Sequence, residues 1–82
     1  MSNSKYDLTL FYFPGCPYCK KVLNFMKDKN IEIQLKNIRK NREAARKLKE
    51  IGGKKQVPCL FINGKPLYES DDIIVWLKEH YL

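Results

Sequence analysis

The stretch DLTLFYFPGCPYCKKV, residues 7–22, decides the fold. Asp7 to Phe13 is rich in Leu, Phe, Tyr and Thr, and Pro14-Gly15 stops it, which predicts a strand feeding a turn. A helix is expected from Pro17 to about Lys29 with Cys16 at its N-cap, because the missing N–H of proline costs nothing at the first helical position. Cys19, Val22, Leu23 and Met26 recur at helical spacing and make the expected buried stripe.

Working outward, Ile31 to Ile38 (IEIQLKNI) alternates apolar and polar residues and reads as a second strand. Asn41 is placed to cap a second helix whose inner face is Ala44, Ala45, Leu48 and Ile51, ended by Gly52-Gly53. Val57 to Ile62 (VPCLFI) reads as a third strand, and Asn63-Gly64 is a strong hairpin signal. Lys65 to Tyr68 is then an antiparallel fourth strand. Ser70 is expected to cap a last helix, with Asp71 and Asp72 suited to its dipole and Ile73, Ile74, Leu77 and Tyr81 facing inward. Strands joined through helices are expected to run parallel, and the hairpin adds an antiparallel strand. The result is an α/β fold, β-α-β-α-β-β-α, with a four-stranded mixed sheet and three helices. That is the thioredoxin-like architecture in its smallest form.

Eighty-two residues suit one domain, 1–82, and 44% apolar with 30% charged residues excludes a disordered or collagen-like chain. Three cysteines are too few for a disulfide framework. A bridge between Cys16 and Cys19 closes almost no loop and adds little stability, so the pair reads as chemistry. Met1 to Lys5 is polar, and Leu8 to Phe13 is too short for a signal-peptide core or a membrane span. The expectation is a cytoplasmic protein without a membrane partner. The net charge of +7 comes with lysines spread along the chain and no basic–aromatic repeat. It reads first as solvated surface, then as attraction for anionic small substrates or acidic proteins, with no nucleic acid expected.

A cysteine at a helix N-terminus faces unpaired N–H groups and the positive end of the dipole, which favours thiolate over thiol. Cys19, one turn further in, falls on the sheltered side within reach of the first sulfur. One sulfur is then a nucleophile and the other a resolver. A thiol made more acidic gains little in attack, because nucleophilicity falls as the thiolate fraction rises, but it departs faster from a mixed disulfide. Metal is not expected: Cys16, Cys19, Cys59 and His80 lack a second close-spaced pair. Cys59 reads as a buried strand thiol, and His80 as complementing a helix C-terminus.

Cys16-Pro17-Tyr18-Cys19 after a first strand resembles the glutaredoxin active site. Gln56-Val57-Pro58 resembles that family's Thr-Val-Pro segment, and Glu69-Ser70-Asp71-Asp72 its small-residue-plus-Asp turn. The resemblance implies catalysis by Cys16 and Cys19, with a cis bond before Pro58. It implies glutathione binding by Tyr18, Lys55, Gln56, Val57, Pro58, Ser70 and Asp71. Glutathione is then a co-substrate, with no tightly bound cofactor and no metal. The partners implied are disulfide-containing or glutathionylated proteins, and the chain is expected to be a monomer. Phe13 stands where the family usually has Lys or Arg, and Gln56 where it has Thr. Lys54 or Lys55, with Gln56, is therefore expected to hold the glycyl carboxylate, with Lys20 and Lys21 as alternatives. The alternatives are an electron donor recharged by a flavoprotein reductase, although the Trp-Ser-Gly-Phe segment of such donors is missing, and an iron–sulfur cluster carrier.

Overall fold

The computed structural model describes residues 7–53 and 56–81. The elements are β1 (Leu8–Tyr12), α1 (Pro17–Asp28), β2 (Gln34–Asn37), α2 (Arg42–Gly52), β3 (Cys59–Ile62), β4 (Lys65–Leu67) and α3 (Ser70–Tyr81). Their order is the expected one, and they build a single four-stranded sheet, β2-β1-β3-β4.

The pleat of the two central strands sorts the core into two halves. Leu8, Leu10 and Leu60 pack with Val22 and Met26 of α1 and with Ile73 and Leu77 of α3. Phe11, Cys59 and Phe61 face the other way, against Ala44 and Leu48 of α2. Leu10, Leu60, Ile73 and Leu77 are wholly buried. At about 1.5–3 kcal/mol for each such side chain, this layer is what fastens α3 across the sheet. Asn41 caps α2 as expected, its Oδ1 accepting the Ala44 N–H at 3.1 Å, a contribution of about 1 kcal/mol.

Strand direction departs from expectation. β2 is parallel to β1, but β3 is antiparallel to it, although a helix joins β2 to β3. A parallel strand requires the connection to deliver the chain to the far end of the sheet. Six residues separate α2 from β3; extended, they reach ~20 Å, more than the ~16 Å length of α2, so they can bring the chain back. β3 therefore begins where β1 and β2 end, with Cys59 beside Phe11 and Asn37 beside Tyr12. Three strands thus bring chain segments to one end of the sheet.

Smaller differences follow from uneven cover. β2 is shorter than the alternation suggested, and Leu35, in register with buried Leu10, is 44% exposed because its edge strand has a neighbour on one side only. Ile51 is 46% exposed rather than inward-facing. It borders a hollow of about 320 Å³ beside α2, lined also by Thr9, Phe11 and Phe61, where one helix does not cover the whole sheet face. Leu23, Ala45 and Ile74 are only partly buried. Ser70 is the first residue of α3 rather than its cap: the Glu69 carbonyl accepts the Ile73 N–H at 3.0 Å, so Glu69 holds the N-cap position. The Tyr81 side chain lies outside the described residues.

The hairpin turn is as expected. Asn63 (φ 51°) and Gly64 (φ 86°) both take positive φ, as a type I′ turn requires. Asn63 also accepts from the Asp7 N–H through Oδ1 and donates its own N–H to the Asp7 carbonyl.

Candidate active site

Cys16 sits at the N-cap of α1 with extended backbone (φ −87°, ψ 121°), and Pro17 follows it. Its N–H donates to the Phe13 carbonyl at 3.2 Å, and its own carbonyl accepts from Lys20, the first intrahelical bond. The turn at Pro14-Gly15 thus delivers the first sulfur onto the helix start. Cys19 follows one turn later on the helix face that packs inward.

The two thiols differ in environment. Cys19 is fully buried, and its pKa is pushed up to about 12. Burial is the main cause; a hydrogen bond with the Phe13 backbone opposes it, while the hydrogen bond and charge of Cys16 add to it. Cys16 is more accessible than Cys19, yet it too is buried, at 8% exposure. The residues before β3 lie over it: its Sγ donates to the Val57 carbonyl at 3.9 Å. The Val57–Pro58 bond is cis, as the resemblance implied, and Pro58 is buried.

Beside the sulfurs lies a hollow of about 330 Å³ lined by Tyr18, Lys21, Gln56, Val57, Pro58, Glu69, Ser70 and Asp71. It gathers Tyr18, Gln56, Val57, Pro58, Ser70 and Asp71, which the sequence placed in three separate segments. Tyr18 is 64% exposed at its rim. Lys55, and Lys54 with it, lie outside the described residues.

Two contacts escaped the sequence reading, although Lys21 itself is an alternative cation for the glycyl carboxylate there. Lys21 Nζ donates to Asp71 Oδ1, bridging α1 to the start of α3. The Arg39 guanidinium lies over the Phe13 ring, 4.7 Å from its centroid. A cation is therefore held at Phe13 by stacking, where the resemblance pointed to a basic side chain. No local pattern announces either pair, since the partners are far apart in the chain.

Cys59 is fully buried in the α2 half of the core, apart from the α1 stripe that holds Cys19. His80 Nδ1 lies 2.8 Å from the Trp76 carbonyl in the last turns of α3, and the two rings stack at 4.0 Å. Among the described residues, no group of three or more His, Cys, Asp or Glu could hold a metal ion, and no helix is long and apolar enough to cross a membrane.

Known proteins resemble this chain in sequence and in fold. Glutaredoxin-1 of Saccharomyces cerevisiae is 32% identical across 71% of this chain; the match spans 59% of the yeast protein, so this chain covers about three-fifths of that relative. Glutaredoxin 1 of Rickettsia prowazekii is 30% identical across 90% of this chain and 80% of its own length. A crystal structure of a thioredoxin-like protein superposes with a TM-score of 0.74 over 88% of this chain and 95% of its own, at 20% identity, a likeness of fold. The family model described as Glutaredoxin matches residues 8–67, from the first residue of β1 to the last of β4, with Cys16, Cys19 and the Val57-Pro58 segment inside the match. With that span covered and both cysteines at one helix start, this chain belongs to the glutaredoxin family.

Proposed function

We propose that this chain is a glutathione-dependent thiol–disulfide oxidoreductase, reducing protein disulfides and glutathione mixed disulfides through Cys16 and Cys19. The observation that supports this reading best is the inequality of the two sulfurs at one helix start. Cys16 stands at the N-cap of α1, its Sγ on the carbonyl of Val57, which lines the hollow. Cys19 is fully buried one turn further in, with its pKa pushed up to about 12.

With a glutathionylated protein, the Cys16 thiolate attacks the glutathione sulfur. The protein leaves as a thiolate, and Cys16 carries the glutathionyl group. A second glutathione, as thiolate, attacks that group, leaving glutathione disulfide and restoring the Cys16 thiolate. With a protein disulfide, Cys16 forms a mixed disulfide and releases one protein thiolate. Cys19 then loses its proton, attacks Cys16 and frees the second protein sulfur. Two glutathione molecules reduce the Cys16–Cys19 bridge and leave as one disulfide.

In this reading Asp71 takes the ammonium of the γ-glutamyl end, and Ser70 stands at the start of α3, whose N–H groups suit the adjacent carboxylate. The Val57 backbone pairs with the glutathione main chain, Pro58 and Tyr18 wall the groove, and Gln56 with Lys55 faces the glycyl carboxylate. No tightly bound cofactor is needed, and the protein works as a cytoplasmic monomer of one domain. The deciding assay follows NADPH oxidation with glutathione, glutathione reductase and a small mixed disulfide. Turnover that rises with glutathione and vanishes in Cys16→Ser supports the proposal; no turnover with glutathione, but reduction by a flavoprotein reductase, overturns it.

A further inference from the structure

The lysines are spread along the chain, but the charge surplus is not. Residues 36–55 carry nine Lys and Arg against two Asp and Glu, a surplus of seven, and the other residues carry seven of each. One segment therefore accounts for the whole net charge of +7. It comprises the end of β2, the turn after it, all of α2 and the residues just beyond. Arg39, Lys40, Arg42, Arg46, Lys47 and Lys49 are all exposed. Among the described residues, one ion pair engages any of them, Arg46 with Glu50 at 4.0 Å.

Arg42, Arg46 and Lys49 stand at i, i+4 and i+7 and share one face of α2. They line a hollow of about 520 Å³ together with Glu43 and the partly buried Ile38 and Ala45. The patch adjoins the redox pair: Arg39 lies on Phe13, whose carbonyl accepts the Cys16 N–H. Like charges crowded along ~16 Å of helix repel one another, and an acidic partner relieves that repulsion.

We propose that this face of α2 docks an acidic segment of a disulfide-bearing protein and so presents its sulfur to Cys16; the inference rests on the oxidoreductase reading above. Three cations outnumber the one carboxylate, Glu43, around two apolar side chains, which suits a segment in which acidic residues flank an apolar one. A protein is favoured over nucleic acid for two reasons. Only a partner carrying sulfur gains from being held beside Cys16, and residues 39–53 contain no aromatic side chain on which a base could stack.

The test compares two glutathionylated peptides of equal length, one rich in Asp and Glu and one with Lys in those places. Wild type is expected to show a kcat/KM about tenfold higher for the acidic peptide at low salt, the advantage shrinking as ionic strength rises. The Arg42→Glu/Arg46→Glu/Lys49→Glu variant is expected to lose or reverse that preference, with turnover of a small neutral mixed disulfide unchanged. The milder Arg42→Gln/Arg46→Gln/Lys49→Gln variant should fall between the two, and it decides the matter if the reversed variant does not fold. Equal kcat/KM for both peptides in wild type, or a preference that survives charge reversal, overturns the proposal. So does displacement of the acidic peptide by neither salt nor charge reversal while a DNA oligonucleotide binds through these residues. Failure of the oxidoreductase reading looks different: the small disulfide is not turned over by any form, and anisotropy of the labelled acidic peptide still reports whether the patch binds it.

Discussion

Lys21 and Asp71 close an ion pair across the mouth of the hollow beside Cys16, joining α1 to the first turn of α3. Asp71 is the carboxylate proposed to receive the glutathione ammonium, so Lys21 competes with the substrate for it. Both side chains are more than half exposed, which keeps the pair weak and screened by salt. Lys21→Gln is expected to lower the KM for glutathione, by at most about fivefold, and to leave turnover with a thiol lacking an ammonium unchanged. Asp71→Asn should raise the KM. A higher KM in Lys21→Gln would make Lys21 a ligand of the substrate rather than its rival.

The division of labour between the sulfurs predicts separable losses. Cys16→Ser should abolish both reactions, because no other sulfur stands at the helix start. Cys19→Ser should keep deglutathionylation, where glutathione resolves the intermediate, and lose the reduction of protein disulfides. Activity of the Cys19 variant on a glutathionylated peptide and on a disulfide-bonded protein, measured side by side, checks this.

Cys19 carries a pH signature. Its thiol pKa is raised from 9.0 to about 12 by burial, so the folded state holds that proton where the unfolded chain has released it. The stability this confers is present below pH ~9 and is lost as pH climbs towards 12. Denaturation midpoints of the reduced protein should therefore fall across that window, and Cys19→Ala should flatten the fall. Iodoacetamide at neutral pH is expected to label Cys16 and to spare Cys19, as peptide mass mapping would show.

Arg39, stacked on Phe13, is a second cation that competes with Lys55 for the glycyl end of glutathione in the proposed site. If the stacked guanidinium serves the glycyl carboxylate, Arg39→Ala raises the KM for glutathione several-fold at low salt. Phe13→Leu, which removes the ring beneath it, does the same to a smaller degree. Phe13→Lys restores affinity in the Arg39→Ala background. An unchanged KM in both single variants assigns that end of glutathione to Lys54 or Lys55 instead.

Gly52 makes a stability prediction. A Cβ there would collide with the Tyr68 hydroxyl. Alanine in a helix gains up to about 1 kcal/mol over glycine, but overpacking against a partly buried ring costs about 1–3 kcal/mol. The clash wins, so Gly52→Ala should lower the thermal midpoint. Tyr68→Phe, which removes the oxygen, should recover part of it.

Much of this was legible in the sequence because the signals were local. Pro17 after Cys16, Asn41 before α2 and the Asn63-Gly64 pair each act within a few residues, and all three elements formed where they pointed. What could not be read was long-range. The direction of β3 depends on where the connection after α2 delivers the chain, and the exposure of Ile51 depends on how far one helix covers a sheet. Lys21–Asp71 and Arg39–Phe13 exist only once four segments meet at one end of the sheet. The charge was visible as a total, but its concentration in residues 36–55 becomes a surface property only when α2 has a face.

The Asn63-Gly64 turn sits at the other end of β1 from Cys16, with about 15 Å of strand between them. Two hydrogen bonds to Asp7 hold it in place, and Lys65 beside it is exposed. The sheet is in effect a spacer with chemistry at one tip and a rigid, inert handle at the other. A linker attached at Lys65 to a bead or an electrode would orient every molecule with its sulfurs outward, leaving the hollow beside Cys16 open to solution.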